Sequence, residues 1–199
     1  MTIRKYLLGA LTVALGLLMG VTLFFPWDSV ASSLFSTVAD KAASRGIYVT
    51  ASSAESQGIF KKSFIYRGLN ADLPMAKANL TEVTVTPDII SSMTTDVKRA
   101  RVTFGKGSII PVTRQSIGWN SGSAYVAASK NQIILEDISF SGPATITGSA
   151  EVSISPLKLT HARLLVKVPK ELDIMFNRLK MTNILPLKKV RDGEWRIER

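Results

Sequence analysis

Cysteine is absent from the chain and histidine occurs once, as His161. The first absence excludes disulfides, thiolate nucleophiles and thiolate metal ligands. The second removes most routes to a histidine-based acid–base pair or metal site. His161 falls on the polar side of an alternating segment beside Arg163 and reads as a surface residue. Acids are also scarce, 15 Asp and Glu against 25 Lys and Arg, and they are scattered. Asp40, Glu55 and Asp72 are far apart, and Glu136-Asp137, an adjacent pair in a strand-like segment, would face opposite sides of a sheet. There is no G-x-S-x-G, the strand–turn–helix signature that exposes a serine nucleophile. "FGKGSIIP" (104–111) lacks the first glycine and spacing of a phosphate loop, and reads as a hairpin turn. We therefore expect no enzyme: no catalytic residue, no metal ligand and no cofactor. Asn79-Leu80-Thr81 fits a glycosylation sequon, but it lies in a strand-like segment and carries no argument.

What the chain does have begins with "YLLGALTVALGLLMGVTLFF", residues 6–25, without a charge. As a helix this stretch is roughly 30 Å long, the thickness of a bilayer's hydrocarbon core. The apolar region of a cleaved signal is shorter, about 7–15 residues. The length favours a retained anchor. Two alternatives stay open, a signal cut after Ser29-Val30-Ala31 and a buried soluble helix. Tyr6, Phe25 and Trp27 stand at the ends of the stretch, where aromatic rings favour the membrane interface. Arg4 and Lys5 precede it and Asp28 is the first charge after it, which puts the N-terminus (residues 1–5) in the cytoplasm and the remainder across the membrane. Gly16 and Gly20 form a GxxxG, a spacing that permits close helix–helix contact and a homodimer.

The formal charge is +10, and residues 158–199 alone hold 11 Lys/Arg against 5 Asp/Glu. A basic surface on a tethered domain attracts anionic headgroups or an acidic partner, or simply aids solubility. Nucleic acid is not an expected partner beyond a membrane.

Residues 27–45 repeat apolar side chains at Val30, Leu34, Val38 and Ala42, a helical face, with Asp28 as N-cap and Gly46 as the stop. From Gly46 the period becomes two. "KRARVTF" sets Ala100, Val102 and Phe104 against Arg99, Arg101 and Thr103. "ATITGSAEVSIS" sets Ala144, Ile146, Ala150, Val152 and Ile154 against hydroxyls and Glu151. "THARLLVKVP" sets Ala162, Leu164, Val166 and Val168 against His161, Arg163 and Lys167, and "GEWRIER" sets Trp195 and Ile197 against Glu194 and Arg196. Strict alternation is the signature of antiparallel sheet with one apolar face. Turn residues at 120–122, 141–143 and 192–193 separate the strands, so 46–168 reads as a meander of seven to nine strands. "KELDIMFNRLKM" breaks this texture, with Leu172, Met175, Phe176 and Leu179 on one helical face that can cover the sheet, and residues 88–96 read as a short helical turn. The expected fold class is mainly β: an N-terminal transmembrane helix (6–25), an amphipathic connector helix (27–45), then an antiparallel curled sheet or sandwich (46–199) with one or two covering helices. Its apolar face or groove would include Val102, Phe104, Ile146, Val152, Ile154, Leu164, Val166, Phe176 and Trp195.

The order of an uncharged span, "LFFPWDSVASSLFSTVADKAASRGIYV", "LEDISFSGPATITGSAEVSISPLKLTHARLLVKV", the helix "KELDIMFNRLK" and a final "PLKKVRDGEWRIE" resembles the type II secretion system protein N family, which is related to the AsmA-like envelope proteins. The resemblance implies a non-enzymatic accessory component anchored in the bacterial inner membrane with a periplasmic β domain, working with other secretion proteins. It supplies no catalytic residues. A lipid-binding or lipid-transfer module, similar to the AsmA-like proteins or to the anchored periplasmic component of lipopolysaccharide export, is the alternative, with membrane lipid as its partner.

Overall fold

The computed structural model describes residues 12–14, 16, 17, 19, 20, 25–58, 61–74, 76–89, 91, 95–111, 116–181 and 186–199. Its main body is one hydrogen-bonded antiparallel sheet of 13 described strands, so the two-sheet option left open by the sequence is not taken. A helix α1 (Trp27–Ala43) leads into β1 (Tyr48–Thr50) and β2 (Ser53–Gln57), which lie end to end along β3 (Ser63–Leu73). The next strand is β4 (Ala76–Asp88). Along its other edge run β5 (Lys98–Phe104) and β6 (Gly107–Pro111), followed by β7 (Ile117–Trp119) beside β6 and β8 (Ser121–Ala128) beside β5. Then come β9 (Gln132–Ser141), β10 (Thr145–Ile154) and β11 (Leu157–Lys167). A second helix, α2 (Lys170–Met181), crosses to the hairpin β12 (Leu187–Arg191) and β13 (Glu194–Glu198), and β13 pairs with β11.

Eleven described strands fall in the 46–168 region rather than seven to nine, because long runs are interrupted while keeping their register. "FGKGSIIP" is not a hairpin. β5 and β6 run in the same direction along β4, and the ladder continues through the gap with Gly105 N–H donating to the Glu82 carbonyl (2.8 Å) and Thr81 N–H to Lys106 (2.8 Å). Asn120 likewise marks a step between β7 and β8, where its N–H donates to Ser141 (2.7 Å), and not a chain reversal. The turns at 141–143 and at Asp192-Gly193 do reverse the chain. Of the 88–96 turn, Ile89 and Ser91 are helical, and the remainder of its centre lies outside the described residues. Glu136 and Asp137 are both exposed instead of facing opposite sides, because Asp137 takes a left-handed φ of 50° in the irregular middle of β9.

The register aligns one apolar row across eight strands: Tyr66, Val83, Phe104, Gly122, Phe140, Ile146, Val166 and Trp195. The neighbouring row on the other face is Thr84, Thr103, Ser123, Ser139 and Thr147. One face thus has to leave water, and the two helices cover its ends. Under α2, Leu172 and Met175 are buried with Val166, Val168, Leu187 and Trp195, with Phe176 and Leu179 packed against them. Pro169 starts this helix without needing to donate, and its apolar face is the one the sequence periodicity predicts.

Under α1, Ala31 is buried with Phe64 and Tyr66, and Val30 and Phe35 pack beside them. The predicted face is rotated here: Leu34 and Val38 are 47% and 63% exposed, and the contact runs through Ala31 and Phe35. A small residue lets the helix approach Tyr66, whose hydroxyl donates to the Ala31 carbonyl (3.3 Å). Asp28 does not cap the helix, which begins beside Pro26 without a side-chain cap. Its carboxylate accepts the Ser56 N–H (2.6 Å), which fastens α1 to β2 and holds the acid below the usual carboxylate range.

The other end is fastened by Asp173. It accepts from Trp195 Nε1 (2.7 Å), Gly193 N (3.2 Å) and Lys189 Nζ (2.9 Å), while Lys189 also pairs with Asp192 (2.9 Å). The lysine contact foremost, then the indole and backbone donors, hold Asp173 below its ordinary value of 3.8; hydrogen bonds to Asp192 and Asp173 raise Lys189 above 10.5. The stabilisation from Asp173 is therefore present above the unfolded carboxylate's pKa and lost as pH falls through the lower folded value. That from Lys189 is present below its unfolded pKa and lost as pH rises through the higher folded value. Trp195 is fully buried, so Trp195→Ala should cost about 3–5 kcal/mol in urea unfolding of the full chain. Asp173→Asn should destabilise at neutral pH and flatten the loss of thermal stability expected below about pH 4 in the unsubstituted protein, read by thermal melts across that range.

Candidate functional site

Between the two helices the apolar face is bent. In four adjacent runs the inward position passes from Tyr66 to Leu69, from Val83 to Leu80, from Phe104 to Gly107 and from Gly122 to Trp119, across the line where β5 gives way to β6 and β7 to β8. Gly68, with a left-handed φ of 58°, takes up the bend in β3. Beyond the line a second row forms from Leu69, Leu80, Gly107 and Trp119. Trp119 Nε1 donates to the Gly105 carbonyl (3.1 Å), so the indole is held across the step.

Two glycines make room for the aromatics. A Cβ at Gly107 would stand 2.5 Å from the Trp119 ring, and one at Gly122 would stand 2.4 Å from the Phe140 ring. Phe140 lies across Gly122 to meet Phe104 (centroids 5.2 Å) and meets Trp119 edge-on (5.6 Å). Beside this trio is a cavity of about 300 Å³, walled by Leu80, Ile109, Ile117, Ala144 and Ile146 together with the aromatics, with almost no polar lining. An apolar group of a ligand can be accommodated there.

The structure brings Phe104, Ile146 and Leu164 together in the central cluster, and Val166, Phe176 and Trp195 under α2. Val102, Val152 and Ile154 are half-buried on their strands. Trp119, Phe140, Leu80, Ile109 and Ile117 were not among the groove residues expected from sequence. "SIGWNSGS", an aromatic between glycines, was the available signal. His161 is exposed at the surface, 3.4 Å from Glu151. No group of three or more acids or histidines suited to a metal occurs among the described residues.

In the basic 158–199 segment some cations are paired: the buried Glu194 takes Lys167 and Arg191, and Glu198 takes Lys188 and Arg196. The exposed Glu198 pairs contribute about 0–1 kcal/mol each.

The N-terminal stretch falls mostly outside the described residues, Tyr6 included. Residues 12–14, 16, 17, 19 and 20 are helical, with Val13, Leu17 and Met19 exposed. Among the described residues no helix is long and apolar enough to cross a membrane, so the expected transmembrane helix is not supported. A Cβ at Gly16 or Gly20 would meet nothing within 4 Å. Phe25 and Trp27 stack at 4.9 Å, and the Lys62 ammonium sits 5.1 Å from the Trp27 ring centre.

Comparison with known families settles the relationship. A family model described as type II secretion system protein GspN-like, Synergistales, matches residues 4–199. The chain belongs to this GspN-like family. No curated protein and no solved structure shows significant similarity. For a GspN-like protein of this kind the antiparallel sheet with few helices is thus the domain that the family match covers almost end to end.

The glycine gap beneath Phe140 makes the cavity floor sensitive to volume. Gly122→Val should destabilise by about 1–3 kcal/mol through overpacking and should alter the near-UV circular dichroism of the Phe104–Phe140–Trp119 cluster, while Thr147→Val on the outer face should leave that signal unchanged.

Proposed function

We propose that the protein is a non-enzymatic accessory component of type II secretion, anchored in the bacterial inner membrane by residues 6–25, with its β domain in the periplasm. The observation that carries this reading is the match of residues 4–199 to a GspN-like secretion family, and the antiparallel sheet with one apolar face supports it as a surface for packing and docking. The uncharged 6–25 stretch, the charges on either side of it and the outward apolar side chains of its described helical residues support the anchor. Other secretion proteins are the partners this reading requires. The open backbone on both sides of Gly16 and Gly20 supports a homodimer contact through the same helix.

A second reading, lipid binding or transfer, is favoured by the apolar cavity beside Trp119. It would make the protein a carrier of acyl chains within the same envelope setting.

Carbonate extraction of host membranes should leave the full chain in the pellet, and deletion of its gene should reduce release of type II substrates without abolishing growth. Recovery of the chain in the carbonate supernatant contradicts the anchor. Unchanged secretion contradicts the accessory role. For the second reading, Trp119 emission should be quenched by a brominated fatty acid, and Ala144→Phe, which fills the cavity, should weaken that quenching about tenfold or more. Quenching that is the same in both proteins removes the lipid reading.

A further inference from the structure

A second cavity, of about 830 Å³, opens where β3 begins and β4 ends. Its lining includes Lys61, Lys62 and Arg101, the hydroxyl residues Ser63 and Thr86, and Tyr125. The three cations come from two places. Lys61 and Lys62 precede β3, and Arg101 stands on β5 opposite Thr86 and Tyr125 with its guanidinium 5.7 Å from the Tyr125 ring centre. The Ser63 and Thr86 hydroxyls bond each other at 2.8 Å across the floor. Asp88 is the one acid of the lining, and it is engaged elsewhere, accepting the Ser91 N–H (3.2 Å) and facing Arg99 in register. No ion pair among the described residues involves Lys61, Lys62 or Arg101.

The cluster differs from the hairpin β12–β13, where Lys188, Lys189, Arg191 and Arg196 each pair with an acid. It also has a definite position. Lys62 lies over Trp27, directly after the uncharged stretch, and Asp28 fastens that point to β2. The Lys62 side of the cavity therefore adjoins the point where the chain leaves the 6–25 segment.

We propose that this cavity binds the phosphate headgroup of an anionic phospholipid, with Lys61, Lys62 and Arg101 neutralising the phosphate and the Ser63–Thr86 hydroxyls supplying polar contacts to the glycerol. The inference rests on the anchored reading for the source of the lipid, since that reading brings the cavity to headgroup level. The cation cluster itself is independent of it. Clustered Lys and Arg at a membrane surface each strengthen anionic lipid binding by several-fold, and Arg gives bidentate contact to phosphate.

The test uses the full-length chain in a neutral detergent, offered equal amounts of phosphatidylglycerol and phosphatidylcholine and read by native mass spectrometry. The protein should retain phosphatidylglycerol in preference by about tenfold or more. Lys61→Gln/Lys62→Gln/Arg101→Gln should abolish the preference. Lys77→Gln/Lys188→Gln/Arg196→Gln, which removes the same formal charge elsewhere, should keep it. Equal retention of both lipids by the unsubstituted protein, or equal loss in both variants, overturns the site. Displacement of the lipid by equimolar inorganic phosphate overturns the lipid source in favour of a free anion. Carbonate extraction reads the anchor separately. A chain that is extracted yet prefers phosphatidylglycerol upholds the cation site and overturns the anchor, whereas a membrane-retained chain without preference overturns the site alone.

Discussion

A sheet with one apolar face has to cover that face, and the rest of this structure follows from the ways it does so. The row from Tyr66 to Trp195 crosses eight strands, and each large side chain removed from water contributes about 1.5–3 kcal/mol. Among the described residues no second sheet covers it. Two helices do the work at the ends, each held by an aspartate: Asp28 ties α1 to Ser56, and Asp173 ties α2 to Trp195, Gly193 and Lys189. Among the described residues the middle is closed by the sheet's own bend and by Phe104, Phe140 and Trp119. A cavity remains there, beside Ala144, Ile117 and Ile146, which also pack into the cluster under α2.

The meander has a further consequence. Nearly every strand pairs with a neighbour in sequence, and antiparallel hairpins of this kind close short loops, which costs little entropy. The order departs from sequence where β1 lies beside β3, β6 beside β4 and β8 beside β5, and again at the C-terminal hairpin, where β13 and not β12 lies beside β11 because α2 intervenes and the chain must return under it. Burial of Trp195 beneath α2 locks that return.

The alternation made most of this legible. Val166, Val168 and Trp195 point inward, and His161, Arg163 and Lys167 outward, as period two requires. The helix after Pro169 was legible from its spacing. What was hidden depended on positions that period and propensity do not encode. The glycine-bearing segment at 104–111 looks like a turn, yet its backbone hydrogen bonds continue to β4 and it is a step inside a strand. The face of α1 is set by how closely Ala31 can approach Tyr66, which favours the small residue over Leu34 and Val38. The cavity beside Trp119 joins residues from six strands, and the cation cluster joins Lys61 and Lys62 to Arg101 some 40 positions away. In the conspicuous basic run at 158–199, Lys167, Lys188, Lys189, Arg191 and Arg196 pair with local acids, whereas the grouping of Lys61 and Lys62 with Arg101 was invisible without the register.

The proposed function places an anchored β domain across the inner membrane with one face turned inward. Because the chain has no cysteine, single cysteines at Thr2, Ile146 and Thr147 can be labelled cleanly with a membrane-impermeant maleimide in cells whose outer membrane has been permeabilised. Labelling of Thr147→Cys before lysis, slow labelling of Ile146→Cys, and labelling of Thr2→Cys only after lysis are the predicted results. Labelling of Thr2→Cys before lysis, or protection of Thr147→Cys until lysis, would contradict the account.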